Sequence, residues 1–141
     1  MRKGFTLIEI LVVITIMGLL SSVVLVGLGS FRTRGRDARR IADLREVQNA
    51  LELYNLKNQQ YPEETDWLKL ETALIDAGIG VSKISNDPID KKTYIYGVDS
   101  TLQSYVLAAT LEDSNNQALK DDIDDPTYGV TCADPVYCIQ F

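Results

Sequence analysis

Histidine is absent from this 141-residue chain, which removes the Ser-His-Asp triad, the Cys-His pair and any His-ligated metal site. Cysteine is scarce: Cys132 and Cys138 alone cannot make a structural zinc centre without other ligands. Proline does not occur before Pro62, so nothing of that kind interrupts the first 61 residues. No aromatic residue is interleaved with the arginines of positions 32–45, and the net charge is −6. Both facts weigh against a general nucleic-acid binder, because the phosphate backbone rewards positive charge. The length allows one domain with an added element, not two full domains. With no nucleophile–base pair in view, the chain reads as a non-enzyme.

What is present is strongly segregated. Residues 1–31 carry only Arg2, Lys3 and Glu9. Residues 32–60 carry seven basic and four acidic groups, and residues 61–141 carry five basic and fifteen acidic ones. An apolar head, a basic neck and an acidic body follow one another.

From Ile10 to Phe31 the head has 22 consecutive uncharged residues. A membrane-spanning helix needs roughly 20 apolar residues, and a core helix of so small a domain would not need every face apolar. A cleaved secretory signal, with Gly27-Leu28-Gly29 as its cut, would have a run of only 7–15 residues. A plain signal anchor fits the length but leaves Glu9 unexplained, since a carboxylate in such a segment is a functional residue by default.

The start MRKG-FTLIEILVVITIMGLL resembles the N-terminus of the type IV pilin superfamily, which includes the type II secretion pseudopilins. The resemblance implies a leader of residues 1–4, cut after Gly4 by a prepilin peptidase on the cytoplasmic side, and N-methylation of Phe5. It gives Glu9 an assembly role, pairing with the amine of Phe5 on a neighbouring subunit. Such a pair recovers much of the desolvation cost of each charge, and removing one partner strands the other. Counting Lys and Arg beside the span would put the body in the cytoplasm, because Arg32, Arg34, Arg36, Arg39 and Arg40 follow it. The resemblance implies the reverse, leader inside and body outside, and the more specific motif is followed.

Beyond the head, Ile41, Leu44, Val47, Leu51 and Tyr54 recur at steps of three and four, one apolar stripe on a helix. Head and neck together predict one long helix from Phe5 to Gln60, about 80 Å at the standard rise. Residues 5–31 would form its transmembrane and filament-core part and residues 32–60 its amphipathic half. Gly27 to Ser30 mark a point where it could bend or melt. The arginines of 32–45 read either as a contact for DNA or lipid phosphate, or as solvated or intersubunit charges. In the second reading they pair with Asp37, Asp43, Glu46 or the acidic body.

Residues 61–141 form the acidic body. Tyr61-Pro62 ends the long helix. A short helix is expected over 66–75, with Thr65 as N-cap and Gly78 as its stop. Strands are expected over 93–98, 104–111 and 136–141, the first two joined as a hairpin. The fold class is α+β, a long helix packed across a small antiparallel sheet, as in pilins. Asp121, Asp122, Asp124 and Asp125 read as a solvated acidic loop, with a calcium site as the alternative, since pseudopilins hold calcium in this part of the body. No other cofactor is expected. The resemblance also implies a disulfide between Cys132 and Cys138; two free buried cysteines are the other reading.

The reading that results is a structural subunit of a type IV pilus-like filament, cleaved, methylated and polymerised. A pseudopilin of a type II secretion or competence system is the alternative, and a membrane-anchored binding module a more distant one. The implied partners are its own kind in a homopolymer or mixed filament, prepilin peptidase, an inner-membrane platform with its ATPase motor, and membrane lipid before assembly. The subunit would sit in the cytoplasmic membrane first and in a cell-surface filament afterwards.

Overall fold

A computed structural model describes residues 4–141, the side chains of residues 23–28 excepted. Its elements are helices α1 (Leu7–Asn58) and α2 (Trp67–Asp76), strands β1 (Ile95–Val98), β2 (Tyr105–Thr110) and β3 (Val136–Gln140), and a 3₁₀ turn at Gln117–Lys120 between β2 and β3. The chain divides into two compact units, the first ending at Thr33 and the second running from Arg34 to Phe141. The α+β class with a long first helix and a three-stranded antiparallel sheet agrees with the sequence expectation.

From Leu7 the first unit is helical and runs unbroken through Gly27–Ser30, where bending or melting was an open possibility. Among the described residues no helix is long and apolar enough to cross a membrane. The expected span of 5–31 falls partly outside the description: side chains 23–28 lie within it, and the described uncharged run before them, Ile10 to Ser22, is 13 residues.

The second unit holds the core. The predicted stripe is the buried face of α1: Leu44, Val47 and Leu51 are fully buried, and Ile41 and Tyr54 pack at their margin. They meet Leu70 and Leu74 of α2 and Tyr105, Leu107 and Ala109 of β2 in one cluster. Val106 and Ala108, on the other face of β2, join Val130, Cys132 and Cys138 in a second. Tyr105 to Ala109 are consequently all buried, the mark of a central strand covered on both faces. The sheet order is β1-β2-β3, with Gly97 opposite Val106 and Ala108 opposite Cys138. A Cβ at Gly97 would stand 2.7 Å from the Tyr128 carbonyl oxygen and 2.8 Å from Val130, so this position must be glycine for the 127–130 turn to lie on β1.

Element ends differ from expectation by one or two residues, each for a local reason. Helix α1 stops at Asn58 because Gln59 adopts φ 61°, while Lys57 Nζ donates to the Ala77 carbonyl at the end of α2. Asp66, not Thr65, caps α2: its carboxylate accepts from the Leu68 and Lys69 amides, both at 3.1 Å. Gly78, at φ +62°, follows the last turn as expected. The strands are shorter than the apolar runs that announced them. As strand the 93–98 run begins at Ile95, 104–111 covers Tyr105–Thr110 and 136–141 ends at Gln140, although the Phe141 and Tyr105 backbones still exchange two hydrogen bonds, at 2.8 and 2.9 Å.

Candidate functional site

In the first unit the expected processing residues lie ahead of the helix. Gly4 has nothing within 4 Å of where a Cβ would be, and Phe5 is 84% exposed. Thr6 is positioned as the N-cap of α1, and Thr6-Leu7-Ile8-Glu9 form a capping box. Glu9 Oε2 accepts from the Thr6 amide at 2.8 Å and from Thr6 Oγ1 at 2.7 Å, and the Glu9 amide approaches Thr6 Oγ1 at 3.4 Å. The carboxylate is thus folded back to within one residue of the Phe5 nitrogen. The T-x-x-E spacing carries this signal in the sequence, but the expectation for Glu9 looked only to a neighbouring subunit. The large apolar residues from Phe5 to Leu20, Leu7, Ile14 and Met17 among them, are all exposed. Among the described residues of the first unit, nothing covers that surface.

The second unit uses the basic neck differently. Arg40 is fully buried and has three acidic partners. Its Nε and Nη2 donate to the two Asp87 oxygens at 2.7 and 3.0 Å, and its Nη1 donates to Asp37 and to Glu112, each at 2.7 Å. Arg36 forms a second fork on Glu112, at 2.7 and 2.6 Å. Asp37, also fully buried, accepts in turn from the backbone amides of Glu112 and Asp113, both at 2.9 Å. Bidentate Arg–carboxylate pairs of this kind are the strong, directional ones. The fork from Arg36, and then the single hydrogen bond from Arg40, hold the Glu112 carboxyl down at about 2, against some opposition from burial. At Asp87 burial works to raise the pKa, but the hydrogen bonds from Arg40 and the Ile89 amide prevail and lower it. The hydrogen bond to Asp87, with Glu112 and Asp37 adding to it, pushes Arg40 up against its desolvation.

Two further carboxylates of α1 accept phenols from the body. Asp43 takes the Tyr94 hydroxyl at 2.6 Å, and Glu52 takes those of Tyr105 and Tyr61 at 3.0 and 3.1 Å. Burial, then the Glu52 carboxylate, pushes the Tyr61 phenol up to about 12. Of the expected pairings, Asp37, Asp43 and the body take part. The description of the arginines as solvated fails for Arg40, whose position on the buried side of α1 was not evident from the arginine run itself.

At the C-terminal end Cys132 and Cys138 are joined by a disulfide, both cysteines buried in the second cluster. The aspartates sort differently from expectation. Asp122 and Asp124 come together with Asp134, which the DDIDDP run does not contain, with ligand oxygens within 4.8 Å of one another. Asp121 and Asp125 are not in that trio. Asp122 Oδ2 accepts from the Cys138 amide at 2.8 Å, whereas its buried Oδ1 has no partner. A hard cation fits three carboxylates with one orphaned oxygen, although calcium takes six to eight oxygen ligands.

Residues 1–25 match the prokaryotic N-terminal methylation motif. The type II secretion system core protein G of Aeromonas hydrophila is 38% identical over 61 residues, 43% of this chain and 43% of that protein. The core protein G of Pectobacterium carotovorum is 37% identical over 68 residues, 48% of this chain and 44% of that protein. That of Vibrio cholerae is 39% identical over 64 residues, 44% of each. The chain therefore carries a prepilin-type methylation motif and is homologous to the core protein G pseudopilins over the matched segment. The match spans less than half the length of these relatives. No solved structure matches the chain.

Proposed function

We propose that the chain is a pseudopilin-type structural subunit of a type II secretion fibre, cut between Gly4 and Phe5, methylated on Phe5 and polymerised. One observation carries the reading: a methylation motif at residues 1–25 in a chain that is similar to core protein G over 61 residues. It favours the pseudopilin alternative over the surface pilus that the N-terminus alone suggested. The uncovered apolar surface of the first unit supports it, since lipid before assembly and neighbouring helices afterwards would both bury it. Prepilin peptidase, an inner-membrane platform and its ATPase are the partners this implies, and the role is structural rather than catalytic.

Mass spectrometry of the native N-terminus is expected to find methylated Phe5; an intact Met1, or a cut near Gly29, would defeat the proposal. Deletion of the gene is then expected to trap exported proteins inside the cell. Loss of surface pili with export intact would return the pilus reading. Within the same proposal the Asp122, Asp124 and Asp134 trio holds calcium, supported by the orphaned Asp122 oxygen.

A further inference from the structure

Arg39 and Lys83 do not join the buried ion network. Both are exposed, and they line an open groove of about 340 Å³ between α1 and the extended segment 83–86, together with Glu46, Ile84, Ser85 and Asn86. The one acid in the groove, Glu46, accepts from Ser85 Oγ at 3.4 Å, and Arg39 has only a loose contact with Asp43 at 3.8 Å. Two cations are thus held at a concave surface with weak local compensation. Elsewhere on the same unit, Asp121 and Asp125 are exposed and lie outside the carboxylate trio.

The helix fixes where these two features lie. Arg39 and Glu46 are seven residues apart on α1, and so fall on one line. Asp121 borders Arg45 and Gln48 of the same helix. At 100° per residue the groove line stands roughly 120° to one side of the buried Leu44–Val47–Leu51 stripe, and the Arg45–Gln48 line roughly 100° to the other. The basic groove and the acidic loop therefore occupy opposite flanks of one helix. Two copies set side by side with parallel α1 helices present the groove of one to the loop of the next. Different patches meeting in this way make a heterologous contact, which repeats into an open helical polymer wherever its rotation does not close into a ring.

We infer that the Arg39–Lys83 groove is an intersubunit site whose occupant is the Asp121–Asp125 loop of a second copy of this chain. The inference rests on the filament reading and adds to it a specific contact between the bodies. The pairing is rim-like and exposed, so it sets register and direction of growth more than raw affinity.

The test is charge exchange in the full-length protein assembled on its native machinery. R39E/K83E and D121K/D125K are each expected to lower fibre yield by about tenfold, like charges then facing one another across the contact. The four-residue combination is expected to return to within about twofold of the unaltered chain. Yields unaffected by either reversal, or a combination no better than its parents, would overturn the site. Melting temperatures of the unassembled variants, expected near that of the unaltered chain, separate loss of contact from misfolding. A second variant, K83C/D125C, is expected to form an intersubunit disulfide dimer in fibres; fibres that form without that cross-link would also overturn it. An unaltered chain that forms no fibre at all would remove the functional reading instead.

Discussion

The two units of this protein treat polar and apolar groups in opposite ways. The first leaves its apolar side chains uncovered, and its one acid, Glu9, turns back onto its own helix end. The second buries an arginine and an aspartate completely and satisfies both. One long helix runs through both units, so helix formation does not distinguish them. The distinction lies in where each part finds its partners. The buried ions of the body find their partners within the chain, whereas the described apolar residues of the head are exposed. Damage to the body should therefore appear as lost stability, and damage to the head as lost assembly.

That contrast can be broken most sharply at Arg40. Replacing it with methionine leaves Asp37 and Asp87 without their cation, Glu112 keeping its fork from Arg36, and should cost about 3–5 kcal/mol by chemical denaturation in detergent. A cost below 1 kcal/mol would mean that water compensates these acids. Gly97→Ala forces the Tyr128 carbonyl and Val130 away from β1, with an expected loss of about 1–3 kcal/mol. Retention of full stability would show that the 127–130 turn moves freely. Acid should act on the body through Glu112. A carboxyl held at about 2 contributes stability above the ordinary carboxylate range and loses it as pH falls from about 4.5 towards 2. Glu112→Gln should flatten the stability profile in that window, and an unchanged profile would relocate the acid sensitivity. Glu9→Ala is expected to leave the body's melting temperature unchanged while fibre yield collapses; fibres at normal yield would end the assembly role of Glu9. The smallest effect expected is from calcium, which at ten times its dissociation constant adds about 1.4 kcal/mol. That gain should be absent in Asp122→Asn, and its survival there would exclude the carboxylate trio.

Periodicity made much of this architecture legible. The stripe from Ile41 to Tyr54 identified the buried face of α1 because helical geometry repeats regardless of what lies opposite. The strand runs were visible through their aromatic and β-branched residues, but not their ends, which depend on which partner supplies a hydrogen bond. The Arg40 hub was not legible. Asp87 and Glu112 lie 47 and 72 residues away from Arg40, and nothing local says that they converge on it. Asp134 was missed for a similar reason, since the turn before β3 brings it to Asp122 and Asp124 from outside the acidic run. The Thr6–Glu9 capping box is readable from spacing alone, since both of its members lie within one helical turn.

The attachments of α1 to the rest of its unit run from Arg36 through Arg40 and Asp43 to Glu52, a distance of about 24 Å along the helix. They reach from the helix to several points on the body: Glu112, shared by Arg36 and Arg40, then Asp87, Tyr94, and the Tyr61 and Tyr105 phenols. A pull along the axis therefore loads them side by side, in shear, rather than peeling them one after another. Several charge-assisted bonds must yield together before the helix slides. A body fastened in this way can be pushed or dragged by its helix without unravelling.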